Sequence, residues 1–160
     1  MVQGPGCLNY SLVLNISRND SLQSVTQTNR FIMERHRELF QTHSDQRVDI
    51  QGHTDLAMGG LKFSGNAQRR KKKYLLFHGS FLLDFNLSLI EELLKMPSRQ
   101  PEYRRSRPHR EFLMNLTLKP FTVKELMRSM WKASDLPGIK FAPSEALIHK
   151  YRGEEWNRKL

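Results

Sequence analysis

Cysteine is nearly absent from this sequence, since Cys7 is the only one among 160 residues. A single thiol forms no disulfide within the chain, and it excludes a zinc site built from several cysteines. The sequence also lacks any run of about 18 apolar residues, the length that a membrane-spanning helix requires. No basic segment followed by an apolar one opens the chain, so we expect no secretory signal. These absences predict a soluble, cytoplasmic protein with no membrane partner.

Acidic residues are also few, and the basic excess is uneven. The chain contains 26 Lys and Arg against 16 Asp and Glu. Residues 1–60 contain five basic and six acidic residues, whereas residues 61–160 contain 21 and 10. Two basic clusters stand out, one made of Arg69, Arg70, Lys71, Lys72 and Lys73, the other of Arg99, Arg104, Arg105, Arg107 and Arg110. Such a surface either keeps the protein soluble or attracts an acidic partner.

Nucleic acid is the usual first guess for the partner of a basic protein, and this sequence gives it little support. No aromatic RNP-type motif and no zinc-ligand spacing is present. No clear helix-turn-helix pattern is found either. We therefore do not expect nucleic acid to be the partner, and the basic clusters are better matched to an acidic protein surface.

The spacing of apolar residues predicts both strands and helices. Residues 8–16 alternate between apolar and polar side chains, as in a half-buried strand. Apolar residues recur at helical spacing over residues 20–41, and His36 on that stripe is interpreted as a histidine at the edge of the core rather than a ligand. Gly59-Gly60 predicts a two-residue hairpin turn. Four further strands are predicted over residues 47–51, 54–58, 61–68 and 74–84.

The rest of the chain predicts helices and a long basic loop. Residues 98–109 are polar and longer than most structureless connections, which predicts a mobile or functional segment. Residues 111–118 suit either a strand or a short helix, and Pro137-Gly138 breaks the chain. Helices are predicted over residues 86–96, from a capping box at residues 122–125 onward, and over residues 144–151. This order of elements predicts an α+β (mixed α/β) fold, with a largely antiparallel or mixed sheet flanked by helices.

The residues that best suit chemistry lie on two of the predicted strands. Lys62 occupies an alternating strand and is followed by the small residues Ser64, Gly65 and Asn66. A lysine ammonium suits a phosphate or a polarised carbonyl oxygen, and small residues beside it let a ligand approach the backbone. His78 and Gly79 lie on the apolar strand that follows, where the glycine indicates a bulge or a close approach. The pattern fits two interpretations, a site for a phosphate-bearing ligand or an ordinary edge strand with a surface lysine.

Three stretches of the sequence carry a family resemblance. GLKFSGNAQRRKKKYLLFHGSFLLDFNLSLIEELLKMP and QGPGCLNYSLVL resemble the catalytic domain of lipoate–protein ligases, which belong to the biotin/lipoate ligase superfamily. IHKYRGEEWN near the end is similar to the usual close of that domain. The matches occur in family order across nearly the whole chain. The resemblance implies that residues 1–160 form a partial catalytic domain with a class II synthetase/biotin ligase-like fold.

The resemblance also implies an activity. Enzymes of this family activate lipoate or octanoate with ATP and Mg²⁺ as an acyl-adenylate. They then transfer the acyl group to a lysine of a lipoyl domain, in 2-oxoacid dehydrogenase subunits or in the glycine cleavage H protein. Lipoyl domains are commonly acidic, so the resemblance assigns their docking to the basic run Arg69, Arg70, Lys71, Lys72 and Lys73.

Site residues follow from the matching positions. The family's invariant lysine corresponds to Lys62, which would hold the oxygens of the acyl carbonyl and the adenylate phosphate. Its small loop corresponds to Ser64, Gly65, Asn66 and Ala67, and its histidine-glycine pair beside the acyl pocket corresponds to His78 and Gly79. Thr54 and Asp55 stand where the family often has Asn-Asp near the nucleotide and magnesium. No residue of this chain is assigned as a metal ligand.

The sequence departs from the family pattern at its beginning. The glycine-rich segment that cradles the acyl-phosphate ends in the family where this sequence starts, so we expect the chain to lack it together with roughly the first third of the domain. We also expect no accessory C-terminal domain. An enzyme is one interpretation of such a chain; a non-catalytic remnant that docks lipoyl domains is another. A third is a cysteine-dependent octanoyltransferase, in which Cys7 is a nucleophile rather than a small buried residue.

Overall fold

The computed structural model describes residues 2–136, 138 and 142–158, which form one antiparallel sheet with helices around it. The described strands are β1 (Cys7–Asn15), β2 (Val48–Gln51), β3 (Asp55–Met58), β4 (Leu61–Arg70) and β5 (Tyr74–Leu82). The described α-helices are α1 (Val25–Gln41), α2 (Ser88–Leu93), α3 (His109–Phe112), α4 (Pro120–Met130), α5 (Glu145–Arg152) and α6 (Glu154–Asn157). The strand order is β1-β5-β4-β3-β2. This arrangement confirms the predicted α+β class with a largely antiparallel sheet.

Two tight turns set the register of the central strands. Gly59 and Gly60, with φ of 56° and 78°, connect β3 to β4 as the hairpin prediction requires. The basic run forms the next turn, because the Lys71 amide donates to the Tyr74 carbonyl at 2.8 Å. β4 therefore continues to Arg70, two residues beyond the predicted end of that strand.

Three predicted helix starts are wrong. The helix predicted over residues 86–96 is α2, which spans only Ser88–Leu93. The first helix begins at Val25 rather than residue 20, because the side chains of Asn15 and Asn19 accept backbone amides and hold residues 16–22 in two 3-10 turns. The fourth helix begins at Pro120, with Lys119 as its N-cap, instead of at the capping box. Proline has the helical φ already and lacks the amide hydrogen that a first-turn residue leaves unpaired.

The segment from residue 98 to 118 mixes short elements. It contains a 3-10 turn at Glu102–Arg104 and the short helix α3, and Leu113 then pairs with Lys62 through a single β-bridge. Both alternatives considered for residues 111–118 thus occur in part. Arg107 fixes the segment to the sheet, since its guanidinium donates to the Gly60 carbonyl at 2.8 Å.

Helix α5 is close to the helix predicted over residues 144–151. Ser144 caps the N-terminus of α5 and Gly153 follows its end, one residue later than the sequence indicates. Pro137 lies outside the described residues, and Gly138 has a φ of 89°. None of the helices described here is long and apolar enough to span a bilayer.

The core lies between one face of the sheet and helices α1 and α4. The ring of Phe40 on α1 contacts those of Phe63 on β4 and Phe81 on β5, with centroids 5.4 and 4.9 Å apart. Val123 and Met127 add the buried stripe of α4. This arrangement leaves the opposite face of β1, β5 and β4 for other contacts.

Candidate functional site

A cavity of about 590 Å³ lies along the centre of β1, β5 and β4. All eight positions that the sequence assigned to catalysis and substrate binding line it: Asp55, Lys62, Ser64, Gly65, Asn66, Ala67, His78 and Gly79. They come from β3, β4 and β5, so the hairpin register brings them together. Their roles stay predictions, whereas their common location is a feature of the fold.

A register shift between β3 and β4 turns Lys62 away from the core. Leu56 pairs with Ser64, but the next residue, Ala57, pairs with Lys62, so β4 contains one extra residue at this point. Such a bulge reverses the alternation of side chains. Ser64 is consequently buried on the core face. Lys62 lies over Gly65 on the open face, since a Cβ atom on that glycine would be 2.9 Å from Lys62 Nζ.

The lysine ammonium is held by a carboxylate. Lys62 Nζ lies 2.7 Å from Asp55 Oδ1, with side-chain exposures of 25% and 15%. The Tyr103 hydroxyl donates to Asp55 Oδ2 at 2.8 Å. Burial, followed by the charge of Asp55, raises the pKa of Tyr103 above its ordinary value, so the phenol keeps its proton and donates. Lys62 is therefore a cation of fixed position within reach of the cavity.

Asn66 faces the core side and holds the segment before Asp55. Its Oδ1 accepts from the Tyr10 hydroxyl at 2.6 Å, and its Nδ2 donates to the Thr54 carbonyl at 2.6 Å. The Thr54 hydroxyl donates in turn to the Asn66 carbonyl at 2.6 Å. Gly79 is the cross-strand partner of Asn66, and a Cβ atom there would overlap the asparagine amide. Gly79 thus marks a close approach, as the sequence indicates, and not a bulge.

Gly79→Ala is expected to damage the site more than the fold. The added methyl group must displace the Asn66 amide, and forcing atoms into filled space costs about 1–3 kcal/mol of stability. We expect a lower unfolding midpoint in urea and the loss of the bonds between Asn66 and Thr54, seen as shifted amide resonances of residues 54 and 66. Gly153→Ala is the control for substitution at a glycine, because Gly153 has an ordinary φ of −67° and a Cβ atom there would lie 3.5 Å from the Lys150 carbonyl oxygen, an ordinary contact. An unchanged Asn66 resonance in Gly79→Ala would contradict the overlap.

Polar and apolar side chains share the cavity wall. Two rows of residues, each crossing β1, β5 and β4, form one side of the cavity. The first row consists of Ser11, His78 and Ala67, and the second of Asn9, Ser80 and Gly65. Apolar contacts are added by Leu82, Ile90, Leu94 and Leu113. The cavity therefore offers a cation, hydrogen-bonding groups and an apolar wall that suits an aliphatic chain.

Sequence reasoning missed two aromatic residues of the site. Tyr103 lies in the basic loop at residues 98–109, which was interpreted from its charge and length alone. Tyr10 lies on the apolar face of β1, so its alternation indicated burial and gave no sign of a hydrogen bond to Asn66. The loop contributes to the geometry of the site, because it brings the Tyr103 hydroxyl to Asp55.

Cys7 also lines the cavity. It begins β1 opposite Leu82, and its thiol is partly buried and free. The structure therefore places the thiol and Lys62 on one cavity. It leaves both interpretations of Cys7, a nucleophile or a small half-buried residue, as alternatives.

The basic run at residues 69–73 divides into two parts. Arg70 donates to the carbonyls of Leu22 and Gln23 and to the Thr28 hydroxyl at 2.6, 3.2 and 2.9 Å, so its guanidinium ties β4 to the start of α1. The side chains of Arg69, Lys71, Lys72 and Lys73 are exposed. No ion pair among the described residues involves these four. Within the run, these four side chains are therefore the ones whose charge is open to solvent.

A buried histidine gives the folding free energy a pH dependence. Burial, and to a smaller extent Arg35, lowers the pKa of His36 to about 3. An exposed histidine has a pKa near 6.5, so below that pH the unfolded chain binds a proton that the folded chain excludes. The free energy of unfolding is expected to be fully present above about pH 6.5 and to fall by roughly 1.4 kcal/mol per pH unit toward pH 3.

Urea unfolding between about pH 7 and pH 4 measures this dependence. His36→Gln is expected to flatten the slope, whereas His43→Gln, at an exposed position, is expected to keep it. Equal slopes in the wild type and His36→Gln would assign the acid sensitivity to other groups.

The described residues do not form a site for the Mg²⁺ that the resemblance implies. Asp55 is the one acidic side chain among the cavity-lining residues, and both of its oxygens already have partners. No group of three or more His, Cys, Asp and Glu side chains that could hold a metal occurs within the described ranges. Magnesium in proteins commonly uses one or two carboxylates together with substrate phosphates. We therefore assign magnesium no step.

The sequence of residues 1–134 matches the model of the family described as Lipoyl protein ligase A/B catalytic domain. Octanoyltransferase LipM from Geobacillus kaustophilus is 29% identical over 120 residues, which are 66% of this chain and 43% of that protein. Inactive lipoate–protein ligase 2 from Plasmodium falciparum is 35% identical over 57 residues, 36% of this chain and 15% of that protein. The chain thus spans less than half the length of these curated relatives.

Solved structures agree on the fold. A crystal structure of lipoate-protein ligase A bound with ATP superimposes with a TM-score of 0.69 at 22% identity, covering 95% of this chain and 65% of the other. The structure of a bi-partite lipoate protein ligase and its E2 lipoyl domain from Thermoplasma acidophilum gives 0.57 at 20% identity, covering 96% and 64%. At these identities the likeness extends to the architecture of the sheet and its helices.

Proposed function

The chain belongs to the Lipoyl protein ligase A/B catalytic domain family, and from that premise we propose that it provides the acyl-transfer site of a protein-lipoylation enzyme. The acyl group is lipoyl or octanoyl, and the acceptor is a lysine of a lipoyl domain. One observation carries the proposal: the eight positions assigned to catalysis and substrate binding line a single cavity, in which Lys62 is held over Gly65 beside an apolar wall.

Lys62 is the residue that acts on the acyl group. When the acceptor amine attacks the acyl carbonyl, negative charge develops on the carbonyl oxygen. A fixed ammonium stabilises that charge without reorganising at the moment of reaction. Asp55 supplies the fixed position, since it holds Lys62 Nζ at 2.7 Å. The aliphatic part of the acyl group packs against the apolar wall, which includes Leu82 and Ile90.

The donor in this proposal is an acyl-adenylate, which forms when the carboxylate of the free acid attacks the α-phosphorus of ATP and pyrophosphate leaves. The acceptor amine attacks its carbonyl carbon, an amide bond forms, and the bond from that carbon to the phosphate oxygen breaks, so that AMP leaves and the amine proton passes to solvent. Lys62 is suited to this donor because one ammonium can contact the carbonyl oxygen and a phosphate oxygen together. Support for ATP comes from the similar fold of lipoate-protein ligase A, whose crystal structure is bound with ATP.

A cysteine-dependent transfer is the second candidate. The observation in its favour is that Cys7 and Lys62 line the same cavity. In this version the Cys7 thiolate attacks a carrier thioester, a thioester forms on the enzyme and the carrier thiolate leaves. The acceptor amine then attacks the enzyme thioester, so that an amide forms and the Cys7 thiolate is released. The curated relative LipM is named an octanoyltransferase, which agrees with a transferase of this kind.

Intact-mass spectrometry of an apo lipoyl domain tests the proposal and separates the donors. One mixture contains the chain with lipoate or octanoate, ATP and Mg²⁺; the other contains octanoyl carrier protein. We expect a lipoyl- or octanoyl-sized gain in the first mixture and the same gain with Cys7→Ser. A gain only in the second mixture that Cys7→Ser abolishes would replace the adenylate route with the cysteine route. No gain in either mixture would contradict an acyl-transfer site in this chain and favour a docking role without turnover.

The exposed part of the basic run is proposed to dock the acidic lipoyl domain. Reversing the charge of Lys71, Lys72 and Lys73 with glutamate is expected to raise the KM for the lipoyl domain roughly tenfold and to leave kcat unchanged, because charges at an interface rim mainly affect encounter. The effect is expected to shrink at high salt. Steady-state kinetics at two salt concentrations measure both quantities.

A matched variant controls for net charge. Lys119, Lys124 and Lys132 are exposed and lie outside the run, so their replacement by glutamate removes the same charge elsewhere. An equal rise in KM for both triple variants would show that overall charge, and not the β4–β5 turn, attracts the lipoyl domain.

A further inference from the structure

A chain of partly buried hydrogen bonds runs from Trp131, at the C-terminal end of α4, to the cavity. The Trp131 indole N–H donates to His36 Nε2 at 3.1 Å. His36 Nδ1 lies 3.3 Å from the Tyr10 hydroxyl, which donates to Asn66 Oδ1 at 2.6 Å. Asn66 then donates to the Thr54 carbonyl. Four elements of the fold, α4, α1, β1 and β4, are connected in this way through side chains.

The indole N–H at one end, which can only donate, and the Thr54 carbonyl at the other, which can only accept, fix the direction of the bonds between them. An indole nitrogen can only donate, so His36 Nε2 must accept. The ring is fully buried, and its lowered pKa keeps it neutral at physiological pH, so its single proton is on Nδ1. Nδ1–H donates to the Tyr10 oxygen, which leaves the hydroxyl hydrogen free to point at Asn66 Oδ1. The other tautomer would turn that hydrogen toward His36.

These bonds also fix the orientation of the Asn66 side-chain amide. With Oδ1 occupied by the Tyr10 hydroxyl, Nδ2 faces the Thr54 carbonyl, which can only accept. A flipped amide would place two acceptors together at 2.6 Å. Thr54 directly precedes Asp55, whose carboxylate holds Lys62. The hydrogen bonds that begin at Trp131 therefore extend to the segment that contains Asp55, the residue that positions the Lys62 ammonium.

We propose that Tyr10, His36 and Trp131 are positioning residues, which act through Asn66 and Thr54 to keep Asp55 against Lys62. The proposal rests on the proposed function for its catalytic consequence, because it explains how Lys62 is held in place. The structural part of the proposal, that these residues hold Asp55 in place, does not depend on any activity. Hydrogen-bond networks of this kind hold one geometry when every donor and acceptor has a partner, and they lose it when one donor is removed.

Trp131→Phe and Tyr10→Phe test the chain while preserving ring packing. The first removes only the donor to His36, and the second keeps the ring stacked on Phe81, whose centroid lies 5.1 Å away. We expect the wild-type His36 to be the Nδ1–H tautomer in ¹⁵N NMR, and we expect its Nε2 resonance to shift in Trp131→Phe, where this acceptor loses its donor. In both variants the backbone amides of residues 54–56 are expected to exchange about three- to tenfold faster, as expected for one lost hydrogen bond.

Trp156→Phe is the matched control, since it makes the same substitution at an indole on α6. Its exchange rates at residues 54–56 are expected to equal those of the wild type. Unchanged exchange in Trp131→Phe and Tyr10→Phe, an equal acceleration in Trp156→Phe, or an Nε2–H tautomer in the wild type would each overturn the proposal.

Steady-state kinetics test the part of the proposal that depends on the proposed function. In Trp131→Phe we expect kcat for acyl transfer to fall about three- to tenfold while the KM for the lipoyl domain stays unchanged, because the cation is displaced and the docking surface is not. A raised KM with an unchanged kcat would overturn the catalytic consequence. If the wild type transfers no acyl group, the proposed function fails, and the tautomer and exchange measurements still decide whether the chain positions Asp55.

Discussion

Replacing Lys62 with alanine is expected to lower the rate of acyl transfer about 10²–10³-fold, the loss that follows removal of one preorganised group at a developing oxyanion. The ammonium has no substitute, because among the described residues that line the cavity Lys62 is the one lysine or arginine. Lys62→Arg is expected to recover little of the rate. A guanidinium is larger, and the space over Gly65 is already filled by the lysine.

Single-turnover measurement of the acyl-lipoyl domain gives the rate, and thermal unfolding shows that the variant is folded. The ion pair with Asp55 is partly exposed, so its loss is expected to change stability little. Lys124→Ala, at an exposed position on α4, is the control and is expected to keep the wild-type rate. A Lys62→Ala variant that transfers at the wild-type rate would remove the central residue from the mechanism.

Replacing Phe81 with alanine is expected to lower the free energy of unfolding by about 3–5 kcal/mol. Phe81 is fully buried, and its ring contacts Tyr10, His36 and Phe40 with centroids 5.1, 6.2 and 4.9 Å away. It therefore joins β5 to both β1 and α1. The surrounding rings are held by hydrogen bonds and by packing against each other. They are therefore expected to fill the space left by the Phe81 ring only in part.

Urea unfolding measures this loss through its midpoint and slope. Phe121→Ala removes the same atoms from a side chain that is 74% exposed, and it is expected to change stability by no more than about 0.5 kcal/mol. Similar losses in the two variants would mean that the sheet and α1 do not share the core described here.

The strands were predictable because each half-buried strand shows its period in the sequence. β1 differs from its prediction by one residue at each end, and the glycines at 59 and 60 mark the β3–β4 turn correctly. The helix starts were not predictable from periodicity. The apolar stripe of α1 continues upstream of Val25. The helix begins at Val25 because the Ser24 side chain caps it and because Asn15 and Asn19 hold the preceding residues in 3-10 turns. Side-chain competition for backbone amides leaves no mark on the hydrophobic pattern.

The candidate site was predictable from its motif and not from its geometry. The lysine, the small residues after it and the histidine-glycine pair all reach one cavity. The bulge that separates Lys62 from Ser64 could not be derived, since it depends on how β4 pairs with β3. Tyr103 could not be derived either. It is 48 residues from its partner Asp55 in sequence, and the loop that carries it is placed by Arg107.

The exposed turn between β4 and β5 has a consequence for limited proteolysis. Lys71, Lys72 and Lys73 are consecutive cleavage points for trypsin at a loop tip, where folded proteins are nicked first. A cut there would leave Lys62 on one fragment and His78 on the other. β4 and β5 remain joined by the antiparallel ladder from Ser64–Phe81 to Arg70–Leu75, and β1 flanks β5 over its whole length. The nicked protein would keep both halves of the cavity together as a non-covalent pair, and separating the fragments would separate the site.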